Sequence, residues 1–318
     1  MKIAIDVMGA DHSPAEQIAA AVEWQKEHDD ILFLVGNDAL IQTELGNYEY
    51  HPQRLVVVPA ADVIDMDESP GTALRKKPNA SIVVATGMVK KGLADALVSC
   101  GNTGAQLAAG IFGLGRLTGV ERAPLLATFP TGKDRIISLV DVGANVDCKP
   151  KQLLQFAVLG TVFAQVILKK ENPRVGLLNN GGEESKGNTT VQEAYQLLKN
   201  QQYINFVGNL EGRALFSNEA DIVVCDGFVG NILLKSLEGF TMFMGKACYQ
   251  EFGKPPAILA GLDHSKIGGL PLLGIAGVSV VCHGSSKREA IYNAIQAAVD
   301  SVNHRLVEMQ QEALSQIH

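Results

Sequence analysis

Aromatic side chains are scarce in this chain of 318 residues, where they make up 6% of the sequence and include a single tryptophan. The strands of antiparallel sandwiches and barrels are enriched in such residues, so this composition argues against an all-β fold. Glycine, in contrast, occurs 32 times, and 47% of the residues are hydrophobic. Tight turns between buried apolar segments are typical of a mostly parallel α/β sheet, which is the fold class we expect. The length suits one catalytic unit over 1–318, with two lobes around a cleft as an alternative.

The chain also has fewer basic than acidic residues. Its 27 lysine and arginine residues and 34 acidic residues give a formal net charge of −7. No nucleic-acid partner is therefore expected, since phosphate backbones require a basic surface. No apolar stretch approaches the roughly 20 residues that span a bilayer. The chain enters a strand pattern at Lys2, so we expect no signal peptide. Five cysteines without a CxxC pair fit a reducing cytoplasm.

Motifs for cofactors and metals are missing as well. No GxGxxG sequence follows the first strand pattern, and there is no Walker A sequence. The seven histidines are scattered, without HExxH or paired Cys and His ligands, so we expect no metal and no cofactor. The GxSxG elbow of serine hydrolases is absent too.

A recurring pattern is the most informative feature that the chain does have. Short apolar runs end in small loops rich in Gly, Asn and Ser, at 3–11, 96–105, 137–145, 175–188, 204–212, 221–231 and 278–286. Each run predicts a buried strand, a tight turn and a helix start. Such loops direct backbone N–H groups and helix N-termini towards bound anions. The sequence therefore predicts an enzyme that holds phosphate or an oxyanion at the C-terminal ends of its strands.

Strand and helix patterns alternate along the chain. Nine apolar runs predict strands, beginning near positions 2, 31, 54, 96, 136, 174, 204, 221 and 278. Ser13–Glu16 and Thr189–Gln192 have the spacing of capping boxes and predict helix starts. One last helix is predicted from Ser286, with an apolar face that continues to Met309. We expect a boundary between lobes near 148–150.

The loop at 175–188 is the strongest candidate for an anion site. Asn180 and Gly181 follow a strand pattern, and Lys186 precedes a helix start. A lysine beside a helix N-terminus adds a point charge to backbone donors, which suits phosphate. On spacing alone, a purely structural turn with Lys186 at the surface fits equally well.

Three further strand ends carry candidate site residues. Asn102, Thr103 and Gly104 stand at one of them, where a helix cap and an anion contact are compatible. The others carry His283 with Ser285, and Asp226 with Asn231. Cys100 and Cys282 lie in the same loops, and we favour buried fillers over thioester-exchanging nucleophiles.

Two surface features predict contacts with partners. Arg75 and Lys76, together with Arg213, form local basic sites for an acidic partner. The segment 229–273 is a helical and loop excursion with an apolar helix pattern and then a Gly- and Pro-rich loop. We favour a helix buried in a homodimer interface, and contact with an acyl chain or a membrane surface is the alternative.

The loops, taken in order, resemble the acyl-carrier-protein:phosphate acyltransferases of bacterial phospholipid synthesis. The chain differs from the usual family pattern at Ala10 and Leu270 and is shorter around 245–265. The matching segments are 6–11, 69–82, 99–105, 122–130, 140–145, 176–188, 206–212, 221–231, 268–274 and 282–286.

This resemblance implies transfer of a long-chain acyl group from acyl carrier protein to inorganic phosphate, giving acyl phosphate. It also implies a three-layer αβα fold like that of the isocitrate and isopropylmalate dehydrogenases, and a homodimer. The enzyme would be cytoplasmic and peripherally associated with the inner face of the membrane. There its acyl phosphate product would pass to a membrane-bound glycerol-3-phosphate acyltransferase.

The residues fit such a reaction, because phosphate attack on a thioester needs hydrogen-bond donors and cations more than a nucleophile or a metal. We therefore expect phosphate to be bound by Lys186, the Asn180–Gly181 backbone, and Asn102 to Gly104. His283 and Ser285 would donate to the oxyanion or to phosphate, and Asp226 and Asn231 would orient Lys186 or a water. A short-chain phosphotransacetylase using coenzyme A, a dehydrogenase and a non-catalytic membrane scaffold are the alternatives.

Overall fold

The structure, a computed structural model, describes residues 1–132, 135–254 and 269–317. Contacts divide the chain into two compact units. The first comprises Met1–Arg116 and the described part of Ile267–Asn303, and the second comprises the described parts of Leu117–Lys266 and His304–His318. The boundary expected near 148–150 is wrong, because these residues lead into a helix in the interior of the second unit.

The first unit is built on a six-stranded sheet. Its strands are β1 (Lys2–Asp6), β2 (Ile31–Gly36), β3 (Leu55–Pro59), β4 (Ala96–Ser99), β10 (Leu270–Pro271) and β11 (Val278–Val281). They lie in the order β10-β11-β4-β1-β2-β3, and all pairs except β10 with β11 are parallel. Its helices are α1 (Ala15–Glu27), α2 (Asp38–Leu45), α3 (Pro70–Lys76), α4 (Ser81–Lys90), α5 (Thr103–Ala109) and α9 (Arg288–Asn303).

The second unit contains a five-stranded sheet. Its strands are β5 (Leu126–Gly132), β6 (Arg135–Val140), β7 (Arg174–Leu178), β8 (Asn205–Leu210) and β9 (Ile222–Val224), in the order β5-β6-β9-β7-β8. Only β5 and β6 pair in antiparallel fashion. Its helices are α6 (Pro150–Val166), α7 (Thr189–Lys199), α8 (Gly227–Phe252) and α10 (Leu306–Leu314).

The nine predicted strands are all present, and three of them are buried on both faces of their sheet. Every residue of β4, β9 and β11 is buried, so each reads as a continuous apolar run. Strands β5 and β10 were not predicted. Pro130 and Gly132 interrupt the apolar pattern of β5, and each of the two strands stands at the end of its sheet.

Two helix starts differ from their predictions. Ser13 does not cap α1; its hydroxyl instead accepts the Ala10 N–H at 3.0 Å and the Gln17 side-chain amide at 3.2 Å. Helix α7 is capped by Asn188, whose Oδ1 accepts the Val191 N–H at 3.0 Å, and not by a threonine. Asparagine is a stronger cap than threonine, which explains the earlier start.

The single last helix predicted from Ser286 is also wrong, because it is two helices. Arg305 adopts a left-handed conformation, with φ of 53°, and separates α9 from α10. The two halves have different neighbours: α9 packs on α1 in the first unit, and α10 packs on α6 in the second. The apolar residues continue at helical spacing through the break, so the pattern did not reveal it.

Helix α8 accounts for much of the segment 229–273, of which 255–268 lie outside the described residues. Several of its large apolar side chains are exposed, among them Ile232, Phe240 and Phe243. Within the part of the chain that the structure describes, no helix is long and apolar enough to cross a membrane.

The first turn of α8 is seated against the turn that follows β6. A Cβ atom on Gly230 would lie 1.8 Å from the Asp141 carbonyl oxygen and 2.9 Å from the Cys225 sulfur. One on Gly227 would lie 2.7 Å from the Asn145 carbonyl oxygen. Only glycine allows this approach, so the two glycines determine where α8 starts.

We expect Gly230→Ala to lower the free energy of unfolding by roughly 1–3 kcal/mol, because the added methyl group must displace backbone. Gly239→Ala is the matched control on the same helix, since no atom lies within 4 Å of its added Cβ. In that variant the free energy of unfolding should rise by roughly 0.5–1 kcal/mol, because alanine has a higher helix propensity than glycine. Urea denaturation of both variants measures the difference, and equal effects would contradict the close seating of α8.

Candidate active site

In the first unit, the loops after three adjacent strands meet. Strands β1, β4 and β11 are neighbours, and their C-terminal ends lie side by side. The Cys282 N–H donates to the Ser99 carbonyl at 2.8 Å, and the Asp11 N–H donates to the Gly284 carbonyl at 3.0 Å. This cluster brings together the predicted residues Asn102 to Gly104 with His283 and Ser285 at one edge of one sheet.

The Asn102 side chain is fully engaged within the first unit. Its Oδ1 caps α5 by accepting the Ala105 N–H at 2.9 Å. Its amide nitrogen lies within 3.2 Å of the carbonyl oxygens of Asp65, Met66 and Glu68. Both amide hydrogens are therefore committed to the chain, and the geometry gives this side chain a positioning role.

At the end of β4, the groups available to a ligand are backbone N–H donors. The N–H groups of Thr103 and Gly104 open α5 and have no acceptor among the described residues. A Cβ atom on Gly104 would lie 2.5 Å from a ring carbon of Pro70 at the start of α3. The glycine therefore lets α3 pack against α5, and it leaves its own N–H exposed at the helix start.

His283 and Ser285 are in direct contact. The Nδ1 atom of His283 lies 2.7 Å from the Ser285 hydroxyl and accepts the Ser285 backbone N–H at 3.3 Å. Since a backbone N–H can only donate, Nδ1 is unprotonated, and the proton of the neutral ring resides on Nε2. Both side chains are exposed. This tautomer satisfies both contacts between His283 and Ser285.

The thiols of this cluster are not activated nucleophiles. Cys100 and Cys282 are 1% and 4% exposed. A hydrogen bond with Cys282, together with burial, raises the pKa of the Cys100 thiol well above its usual range. A protonated, enclosed thiol is a weak nucleophile, so the structure favours the prediction that these residues are buried fillers.

Asp6 is the buried carboxyl group beneath this cluster. It is 2% exposed and accepts hydrogen bonds from the Ser99 hydroxyl at 2.8 Å and the Met8 N–H at 3.2 Å. Burial raises the pKa of Asp6 to about 6, against the opposing effect of these hydrogen bonds. The group therefore joins β1 to β4 rather than reaching a ligand.

In the second unit, the loop that contains Lys186 is held by three side-chain amides. Asn179 donates to the Lys186 carbonyl at 3.1 Å, Asn209 to the Glu183 carbonyl at 2.8 Å, and Gln192 to the Ser185 carbonyl at 2.7 Å. Lys186 itself is exposed and has no ion-pair partner among the described residues. The loop backbone is therefore tied to its surroundings, while the Lys186 ammonium group is exposed.

Gly181 lies under the stem of Lys186. A Cβ atom on Gly181 would lie 2.8 Å from Cγ of Lys186 and 2.9 Å from a carboxylate oxygen of Glu183. The predicted pair of Lys186 and the Asn180–Gly181 turn is thus in contact in the structure.

A cavity of about 400 Å³ opens beside this turn, and we call it the β7–β9 cavity. It lies at the C-terminal ends of β7 and β9, next to the first turns of α7 and α8. Its described lining residues are Leu153, Leu177, Leu178, Asn179, Asn180, Gly187, Asn188, Val191, Cys225, Asp226 and Val229. Asn179 and Asn188 were not among the predicted site residues, although both stand in the loop that the sequence singled out.

Asp226 and Asn231 do not contact Lys186. One carboxylate oxygen of Asp226 caps α8 by accepting the Val229 N–H at 2.8 Å. The Asn231 side chain lies beside Gly143, whose added Cβ would be 3.5 Å from Oδ1. Within the described residues no hydrogen bond or ion pair joins either residue to Lys186, and their predicted alternative role, orienting a water, stays a prediction.

The predicted basic residues differ in their availability. Arg75 and Lys76 are exposed on α3, where Arg75 donates to the Gly71 carbonyl at 3.0 Å. Arg213 is ion-paired with Glu211 at 3.1 Å. Among the described residues, no group of three or more His, Cys, Asp or Glu side chains is placed to hold a metal ion.

The family described as "Fatty acid synthesis protein" matches residues 1–309. The phosphate acyltransferase of Syntrophomonas wolfei is 54% identical over 318 residues, covering 100% of this chain and 99% of that protein. This chain belongs to the phosphate acyltransferase family. It is accordingly an acyltransferase, and the expected family and enzyme class are confirmed.

Solved structures support the expected fold. A phosphotransacetylase from Staphylococcus aureus is similar with a TM-score of 0.64 at 17% identity, covering 95% of this chain and 94% of that one. A 4-hydroxythreonine-4-phosphate dehydrogenase from Klebsiella pneumoniae has a TM-score of 0.54 at 12% identity, covering 98% and 99%. The family member thus has the predicted α/β, dehydrogenase-like fold.

Asp6 predicts a specific dependence of stability on pH. Its pKa is raised from 3.8 to about 6, so between these values the native state binds more protons than the unfolded state, and stability falls as pH rises. The shift corresponds to on the order of 3 kcal/mol. The free energy of unfolding of the wild type, relative to Asp6→Asn, should therefore fall from pH 4 to pH 6.5.

Urea denaturation across this pH range measures the difference. Asp95→Asn is the control, since Asp95 is an exposed carboxylate that accepts the Lys2 N–H at 2.8 Å at the other end of β1. A constant difference between the wild type and Asp6→Asn would contradict the raised pKa.

Proposed function

We propose that this protein transfers a long-chain acyl group reversibly from acyl carrier protein to inorganic phosphate, giving acyl phosphate for phospholipid synthesis. The observation that carries the proposal is the kind of groups at the strand ends. They offer backbone donors, an exposed lysine and an exposed His283–Ser285 pair, while Cys100, Cys225 and Cys282 are buried. Membership of the phosphate acyltransferase family supports the same reaction.

The chemistry requires no more than these groups. A phosphate oxygen attacks the thioester carbonyl carbon, the new C–O bond forms, and the C–S bond breaks as the thiolate leaves with the electron pair. A substantial fraction of phosphate is a dianion near neutral pH, and a thiol with a pKa of about 8.5 is a good leaving group. The enzyme must therefore position phosphate and stabilise the tetrahedral oxyanion.

We assign phosphate binding to one group of donors in each unit. In the second unit these are Lys186 and the Asn180–Gly181 backbone, and in the first unit they are the N–H groups of Thr103 and Gly104. We assign His283 and Ser285, which are in contact, as donors to the oxyanion or to phosphate. Asn102 contributes by holding the start of α5. Asp226 and Asn231 act through the first turn of α8 rather than on Lys186.

The carrier protein is proposed to bind at α3. Carrier proteins of this type are acidic, and Arg75 and Lys76 are exposed cations on one short helix. Arg213 contributes less, because Glu211 already offsets its charge. This contact supplies orientation and association rate more than affinity.

Helix α8 is proposed to make the homodimer contact and the peripheral contact with the inner face of the membrane. The side chains of Phe240 and Phe243 are 60% and 65% exposed to solvent. An exposed apolar face of this kind is typical of a surface that binds a protein or a membrane. A long-chain acyl phosphate is itself amphipathic, so release at a membrane suits its use by a membrane-bound glycerol-3-phosphate acyltransferase.

Hydroxylamine trapping of acyl phosphate tests the function. Long-chain acyl carrier protein should give acyl hydroxamate at a rate that depends on both enzyme and phosphate, and acetyl-CoA should give far less. Absence of a phosphate-dependent product from folded protein would refute the proposal. Preference for acetyl-CoA would instead make the chain a short-chain phosphotransacetylase.

Lys186→Ala should lower turnover at saturating acyl donor by roughly 100-fold and raise the KM for phosphate, because the phosphate loses its cation. Lys199→Ala is the control, since Lys199 is exposed on the same unit but paired with Glu184 at 3.0 Å. Steady-state kinetics with phosphate as the varied substrate measure both. Equal kinetics for the two variants would remove Lys186 from the site.

Reversing the charge of α3, with Arg75→Glu and Lys76→Glu together, should raise the KM for acyl carrier protein by roughly tenfold at low salt. The effect should fade as salt rises, because exposed charges are screened. Lys90→Glu with Lys91→Glu, at the C-terminal end of α4, is the matched pair in the same unit. If both double variants behave alike, net charge and not α3 governs carrier binding.

A further inference from the structure

The β7–β9 cavity is suited to an uncharged ligand. None of its described lining residues is a lysine or arginine, and Asp226 adds a carboxylate. A phosphate dianion inside the cavity would lie beside this negative charge without a lining counter-cation, which is unfavourable. Lys186, the available cation of this loop, is not among the lining residues.

The polar groups at the cavity can donate and accept hydrogen bonds. Asn188 uses Oδ1 as the α7 cap, and its amide hydrogens have no acceptor among the described residues. Asp226 uses one oxygen as the α8 cap and keeps the other for a ligand. The Asn180 side chain makes no hydrogen bond within the described part of the chain. These groups match amides, which contain both an N–H and a C=O.

The remaining walls are apolar. Leu153 and Leu177 are buried, and Val191 and Val229 project from the first turns of α7 and α8. A volume of about 400 Å³ falls within the range of small-molecule sites. A slender, uncharged ligand that alternates short alkyl segments with amides would satisfy both the walls and the polar groups. A bare acyl chain would leave the polar groups unpaired.

We propose that the β7–β9 cavity binds the thiol end of the pantetheine arm that links the acyl group to its carrier, and that phosphate is held outside the cavity at Lys186. This rests on the proposed function, which supplies a carrier-bound thioester as the donor. The Asn180–Gly181 turn belongs to both subsites, because Asn180 lines the cavity and Gly181 lies under the lysine stem. The thioester and phosphate would then meet at this turn.

Binding of pantetheine, measured by calorimetry, tests the proposal without turnover. Val191→Phe fills the cavity from α7, and Val229→Phe fills it from α8. Each should weaken binding by roughly tenfold or more. Leu197→Phe is the control, because Leu197 lies on α7, is 38% exposed and does not line the cavity.

Asn188→Ser tests the polar part separately. Serine keeps the helix cap but lacks the amide donor, so pantetheine affinity should fall roughly three- to tenfold while thermal stability is little changed. Asn37→Ser is the matched cap replacement, since Asn37 caps α2 in the first unit through Oδ1 at 3.1 Å. That variant should bind pantetheine as the wild type does.

The outcomes separate the two proposals. No saturable pantetheine binding by the wild type, or equal binding by the Phe variants, overturns the cavity assignment. If the Phe variants raise the KM for phosphate but bind pantetheine as the wild type does, the assignment is also overturned. The same holds if these variants weaken only the binding of a free fatty acid. Cavity-dependent pantetheine binding without any acyl phosphate formation would sustain this inference and refute the proposed function.

Discussion

The buried carboxylate of Asp141 is the constraint on which the second unit depends. It accepts backbone N–H groups from Leu125, Gly143, Ala144 and Asn145, and also the Asn145 side-chain amide. These bonds fix the conformation of the turn after β6. The first turn of α8 packs against this backbone at Gly227 and Gly230, where a side chain would clash. The position of the first turn of α8 follows from this, and with it the position of Asp226 at the cavity.

Local placement of charge matters more here than composition. The chain is acidic overall, yet its proposed anion site in the second unit uses a single cation, on a loop whose carbonyls are hydrogen-bonded. The amides of Asn179, Asn209 and Gln192 bind the carbonyls of that loop and leave Lys186 to the ligand. Nearby, the carboxylate of Asp226 disfavours a second anion in the β7–β9 cavity by charge repulsion. In the proposed arrangement, the neutral arm of one substrate and the charge of the other therefore lie on two sides of one short turn.

Much of the fold was predictable, because buried parallel strands leave an unmistakable apolar pattern. The failures have local causes: Pro130 and Gly132 hide β5, and a left-handed Arg305 breaks an otherwise regular helix pattern. The positions of the candidate loops at the strand ends were also predictable, but the hydrogen-bond partners of their side chains were not. Asn102 is engaged by carbonyls of 65–68, and Asp226 is oriented by its own helix, and neither partner is visible in the spacing of the motif.

The order of the strands in the first sheet has a consequence for how the chain is made. Strand β4 pairs with β1 on one side and with β11 on the other, and residues 117–266 are translated between β4 and β11. While the nascent chain ends short of β11, β4 is an unpaired edge of the kind that recruits other strands. The loop carrying His283 arrives with the strand that covers this edge. Completing the sheet and completing the first unit's cluster of site residues are therefore one event.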